Sequence, residues 1–168
     1  MRMNGRILIM GIDPGLNRCG WGMIASEGSR LTYIAHGVIK PNAQAELAAR
    51  LAELFSELSA VLLTHAPHEV AVEETFVNSN ARAALALGQA RGVTLAAAAR
   101  SGVSVAEYSP ATIKKAIVGS GAADKTQVSF MVRRLLPTAG DVTADAADAL
   151  GVALCHAAHG GFRRRTGA

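Results

Sequence analysis

Asp13, Glu73, Glu74, Asp145 and Asp148 are the residues of this 168-residue chain whose types and settings are suited to chemistry. Asp13 ends the apolar run Arg6–Ile12 at a Gly-Ile-Asp-Pro-Gly turn. Glu73 and Glu74 close a second such run, Glu69–Glu74. Asp145 and Asp148, with Asp141 just before them, lie near the start of a helical pattern; a spacing of three puts them on one helix face. Taken singly, each has an ordinary role. Asp13 would shape its turn, and the two helical aspartates would each gain ~0.3–1 kcal/mol at a helix N-terminus. Taken together, two strand ends and one helix could bring four carboxylates to the edge of a sheet where α/β proteins build their sites.

Like charges so gathered repel: each pair costs about 4 kcal/mol at ~4 Å and an effective dielectric of 20. Such a cluster needs protons or cations, and hard oxygen donors suit Mg²⁺ or Mn²⁺. Two such ions side by side are a device for in-line attack on a phosphodiester. Only one of Glu73 and Glu74 can face the site, because neighbouring strand residues point to opposite sides. Both faces of that strand read as buried, so the choice stays open.

The charge distribution suits a polyanionic partner. The net charge is +4 overall, but −2 over residues 1–75, +6 over 76–140 and zero over 141–168. A basic middle can also be a solubilising surface. Half the residues are hydrophobic and 18% charged, which excludes a disordered chain, and 33 alanines supply much of the apolar fraction. Two cysteines, Cys19 and Cys155, are too few for a disulfide framework, so a reducing compartment is expected. No apolar run reaches the ~20 residues of a membrane span. A cytoplasmic location is the expectation. The five histidines form no zinc-like or catalytic pattern, and His156 and His159 read as structural or surface residues.

The elements that must position these residues follow from the pattern. Arg6–Ile12, Gly20–Ser26 and Leu31–Lys40 read as three sequential strands joined by turns, an antiparallel meander. Asn42 reads as the cap of an amphipathic helix through Leu47, Leu51, Leu54, Leu58 and Leu62. Glu69–Glu74 and Val103–Tyr108 are two further strands, separated by a helix over Ala81–Ser101. Gly88 and Gly92 inside that helix each cost ~1 kcal/mol, which points to close packing against another backbone. Short helices over Pro110–Ile117 and Lys125–Leu136 follow. Thr143 caps a last helix expected to stop near His159 at Gly160-Gly161. The chain reads as one domain over residues 1–160 with a basic tail over 161–168. Strands first, then alternating helices and strands, imply a five-stranded mixed α/β sheet with helices on both faces.

Five blocks carry a resemblance. They are Gly11-Ile12-Asp13-Pro14-Gly15, Val72–Phe76 (VEETF), Leu87–Gly92 (LGQARG), Val118–Val128 (VGSGAADKTQV) and Ala144–Leu150 (ADAADAL). In this order and spacing the chain resembles the RuvC family of bacterial Holliday-junction resolvases from Arg6 to about His159. The resemblance implies a ribonuclease-H-like fold and a homodimer that nicks four-way DNA junctions. It implies two Mg²⁺ per active site, with Mn²⁺ as a substitute, and the branch-migration proteins RuvA and RuvB as partners. By position it assigns Asp13, Glu73, Asp145 and Asp148 as metal-binding catalytic carboxylates. Glu74 stands where the family commonly has glutamine. Lys125 is implied in DNA binding and cleavage, Lys114 in DNA binding, and Phe76 as an aromatic at the junction. Asn80 and Arg82, at the start of the second helix, are candidate phosphate contacts. That same helix, Ala81–Ser101, is the candidate dimer helix.

Four rival readings are weaker. Gly119–Thr126 resembles a phosphate-binding P-loop, but Asp124 stands where that motif needs glycine. An ATPase of the actin, sugar-kinase and Hsp70 type needs two such domains. A ribosomal-RNA processing nuclease would share the metal logic but not the DNA-facing blocks. A DNA-binding module without catalysis would leave the four carboxylates without a role.

Overall fold

In the computed structural model, which describes residues 5–74 and 80–166, the first apolar run forms β1 (Ile7–Asp13). It pairs antiparallel with β2 (Cys19–Glu27), which pairs antiparallel with β3 (Arg30–Ile39). On its other side β1 pairs parallel with β4 (Glu69–Glu73), and β4 parallel with β5 (Ser104–Tyr108). The sheet order is β3-β2-β1-β4-β5, the mixed sheet that the pattern predicts. Helix α1 (Leu47–His65) lies between β3 and β4 in sequence, and α2 (Ala81–Arg100) between β4 and β5. Helices α3 (Pro110–Val118), α4 (Lys125–Leu135) and α5 (Ala144–Thr166) complete the described chain. No helix among the described residues is long and apolar enough to cross a membrane.

Strand alternation divides the core into two layers. Met10, Ile12, Met23, Val70 and Val72 meet Leu54, Leu58 and Leu62 of α1 and the alanines of α2. Ile9, Ile24 and Ala71 face the other way, onto α3, α4 and α5 through Ile113, Ile117, Val132 and Leu150.

Helix α5 lies directly on the sheet, and glycine makes that possible. A Cβ on Gly11 would fall 2.1 Å from the Ala149 carbonyl oxygen, and one on Gly20 would fall 2.1 Å from that of Asp145. At Gly22 it would press into Leu150. Gly11 and Gly22 are cross-strand partners, and Gly20 pairs with Asp13. The helix answers with small residues: Ala146, Ala149 and Ala153 are fully buried. A second tie fixes the far part of the same helix. His156 Nδ1 lies 2.8 Å from the Tyr108 hydroxyl on β5, and its Nε2 lies 2.8 Å from Glu69 Oε2 on β4.

Three details differ from the sequence reading. Helix α1 starts at Leu47, after an extended Glu46; Asn42 instead closes a turn, its Oδ1 accepting from the Gln44 N–H. Gly88 and Gly92 have nothing within 4 Å of an added Cβ among the described residues, so the close approach within this chain is made by the sheet glycines. The last helix runs to Thr166 rather than stopping near His159; glycine weakens a helix by about 1 kcal/mol without forbidding it.

Gly11→Ala must push α5 off the sheet. Its urea unfolding midpoint should fall by an amount equivalent to about 3 kcal/mol or more. A midpoint equal to that of the parent chain would show that α5 is not held at this distance.

Candidate active site

Asp13 and Glu73 are the last residues of the two neighbouring parallel strands β1 and β4. Alternation from Ile9 and Gly11 puts Asp13 on the α5 side of the sheet. Alternation from Ala71, which packs on that same layer, does the same for Glu73. Glu74 falls on the opposite side; its N–H donates to the Tyr108 carbonyl, which ties the end of β4 to β5. The strand pattern alone left Glu73 and Glu74 equivalent; the pleat puts Glu73, the residue the resemblance assigns, on the pocket side.

Helix α5 brings the other two carboxylates. Its N-terminus is capped by Thr143, whose hydroxyl accepts from the Ala146 N–H. Asp145 and Asp148 thus occupy the first turns, directly above the Gly20 end of β2. Asp13, Glu73 and Asp148 line one pocket of about 120 Å³ with Lys114 of α3, Lys125 of α4 and an apolar wall that includes Ile113 and Val128. Lys125 Nζ is 3.5 Å from Asp148 Oδ2. Lys125 opens α4, which begins with a capping box between Asp124 and Gln127, so Asp124 serves the helix rather than the pocket.

Asp145 stands at the rim, outside that pocket lining. Its Oδ2 lies 3.3 Å from Arg18 Nε. Among the described residues no three Asp, Glu, His or Cys side chains are drawn into a ready-made ion cage. Lys125 and Arg18 each hold one α5 aspartate instead.

The electrostatics are those of an acidic site short of positive charge. Burial, then Glu73 and Asp148, push the Asp13 carboxyl from 3.8 up to about 8, against the pull of Lys125. Burial and Asp148 also raise Glu73, and burial raises Asp148. The Lys125 ammonium is raised in turn, chiefly by Asp148.

Of the predicted DNA-facing residues, Lys114 and Lys125 line the carboxylate pocket. Asn80 and Arg82 line a separate groove, and the Asn80 side chain caps α2 by accepting from the Ala83 N–H. Phe76 lies outside the described residues. Sequence reasoning missed Arg18. Its only signal was a cation five residues past Asp13, and nothing in the sequence showed that α5 would come to meet it.

The family model for crossover junction endodeoxyribonuclease RuvC matches residues 9–156. Curated relatives of that same description include one from Caulobacter vibrioides, 60% identical over 149 residues, covering 89% of this chain and 88% of that protein. Another, from Hyphomonas neptunium, is 53% identical over 166 residues, 99% of each chain. Among solved structures, Thermus thermophilus RuvC in complex with a Holliday junction substrate is similar with a TM-score of 0.85 at 34% identity. The likeness covers 93% of this chain and 96% of that one.

The raised Asp13 carboxyl sets the sign of a pH effect. The folded chain holds this proton at a pH where the unfolded chain has lost it, so stability falls as pH rises from about 4 through about 8. In EDTA at pH 9, Asp13→Asn should melt about 2–8 °C above the parent chain, the shift that about 1–2 kcal/mol produces at this size. Near pH 5 the gap should shrink. A variant that melts at or below the parent at pH 9 would show that Asp13 carries no buried charge.

Proposed function

The chain belongs to the RuvC family of crossover junction endodeoxyribonucleases, and from that premise we propose that it resolves four-way (Holliday) DNA junctions in recombination and repair. The observation that carries the reading is the group of carboxylates delivered by β1, β4 and α5, buried and short of positive charge, beside Lys114 and Lys125. Lys125 and Arg18 pair with the two α5 aspartates, but Asp13 and Glu73 have no such ion pair among the described residues, and burial pushes the Asp13 carboxyl up.

The donor set fits a divalent metal. All the donors are carboxylate oxygens, which suit Mg²⁺ and, in its place, Mn²⁺. Asp13, Glu73, Asp145 and Asp148 would hold two such ions. Bound there, the ions supply an activated water and a stabilised leaving oxygen for hydrolysis of a phosphodiester. The chain's own residues do the rest. Lys125 and Lys114, which line the same pocket, bind the scissile phosphate and offset its charge as it grows. The apolar wall with Ile113 and Val128 limits water around the reacting group. Cleavage leaves 5′-phosphate and 3′-hydroxyl ends.

The substrate's symmetry calls for two such sites. A homodimer would place one on each of two strands of like polarity and give paired symmetric nicks. Helix α2 supports this, since Leu85 is exposed and Gly88 and Gly92 leave room for a second backbone. Asn80 and Arg82 at its start, with Phe76 beyond the described residues, complete the proposed DNA contacts. RuvA and RuvB are the proposed partner proteins, and the cytoplasm the proposed location.

The test is cleavage of a synthetic mobile four-way junction in Mg²⁺, beside a linear duplex and an RNA–DNA hybrid. Paired nicks in the junction alone are expected. Asp13→Asn should slow them roughly 100-fold or more while junction binding persists. Binding without cleavage in any divalent metal would overturn the enzymatic reading. Cleavage of the hybrid instead would keep the site and remove the substrate.

A further inference from the structure

Next to the carboxylate pocket lies a groove of about 580 Å³ between the turn after β1, helix α1 and the start of α2. Its polar lining is Asn17, Arg18, Arg50, Asn80 and Arg82, and no acidic side chain is among the described lining residues. Arg50 is built into the wall. Its Nη2 donates to the Leu16 carbonyl at 3.2 Å and to Asn17 Oδ1 at 2.6 Å, which holds the loop that carries Arg18. Its Nε is buried without a hydrogen-bond partner among the described residues. Arg82 is exposed and makes no ion pair with any described residue. Three guanidinium groups line one groove whose described lining includes no acidic side chain, an arrangement suited to an anion.

Arg18 connects this groove to the candidate active site. It lines the groove, yet its Nε reaches Asp145 Oδ2 at 3.3 Å, and its side chain is 55% exposed and free to turn. It therefore has two acidic partners within reach of one loop position: the Asp145 carboxylate, and any phosphate in the groove. Guanidinium pairs with phosphate through two parallel hydrogen bonds, which a single Nε contact to a carboxylate does not match.

We propose that the groove of Asn17, Arg18, Arg50 and Arg82 binds backbone phosphate of the DNA strand that continues past the cleavage point, and that Arg18 exchanges Asp145 for this phosphate. Without DNA, Arg18 occupies the carboxylate and weakens the site for cations. With DNA seated, Asp145 is released to the metal site. Metal loading and substrate binding are then coupled through one side chain, and the coupling is reciprocal. The proposal rests on the resolvase reading.

The test uses the full chain and a synthetic four-way junction, with affinity measured in EDTA by fluorescence anisotropy across a salt series. Arg18→Ala and Arg82→Ala should each weaken binding at low salt and each flatten the log–log salt slope by about one. In a second measurement without DNA, Mn²⁺ affinity is read by electron paramagnetic resonance. Arg18→Ala should bind Mn²⁺ about twofold to fivefold more tightly, the effect of losing one half-exposed ion pair. A parental salt slope in either variant would overturn the groove as a phosphate site. Unchanged or weaker Mn²⁺ binding by Arg18→Ala would overturn the exchange. In both cases, parental cleavage of the junction would leave the resolvase reading intact. Failure of the parent chain to bind or cut the junction would remove that reading and this one with it.

Discussion

The close seat of α5 on β1 and β2 is the constraint on which the candidate site depends. A helix on a sheet ordinarily stands off by the thickness of two layers of side chains. Here Gly11, Gly20 and Gly22 remove one layer, and Ala146, Ala149 and Ala153 thin the other. The helix backbone then lies almost on the strands, and its first turns bring Asp145 and Asp148 to the ends that carry Asp13 and Glu73. With ordinary side chains at the three glycines, the same four carboxylates would belong to two separated layers. The far part of α5 is fixed by the hydrogen bonds of His156 to Tyr108 and Glu69. The helix therefore has little freedom to slide along the sheet.

That seat creates a conflict of charge which the fold leaves unresolved. Desolvation and mutual repulsion act in the same direction on Asp13, Glu73 and Asp148. Lys125 and Arg18 answer only in part, each holding one aspartate of α5. Such a site is held in tension by packing, and a divalent cation would relieve it at a pH where protons no longer do. The same two basic side chains can turn toward a phosphate, so the charges that steady the DNA-free site are also suited to receive its substrate.

Much of this was legible in the sequence. The apolar runs and helical patterns give the sheet, its antiparallel start and the order of helices, because continuous apolar runs and turn residues are local signals. Asp13, Asp145 and Asp148 were recognisable as acids at a strand end and on one helix face. The family resemblance assigned Glu73 rather than Glu74, but the apolar pattern alone did not: Val70 and Val72 are as apolar as Ala71, so no face was marked until α5 was in place. The meaning of the glycines was hidden for the same reason. Gly88 and Gly92 looked conspicuous inside a helix, while Gly11, Gly20 and Gly22 passed as turn and strand residues. Arg18 was invisible because its partner, Asp145, is 127 positions away in the chain. The continuation of α5 past Gly160-Gly161 reflects a helix already anchored by packing, which two weak formers do not end.

The central claim is that the carboxylates of β1, β4 and α5 act as one metal-binding unit on DNA. The most direct measurement is the number of Mn²⁺ ions bound per chain in the presence of a four-way junction, counted by electron paramagnetic resonance. The account predicts about two per chain, with uptake lost when Asp13 is replaced by asparagine. Equal uptake by the Asp13→Asn chain would contradict it, because the ions would then be held elsewhere.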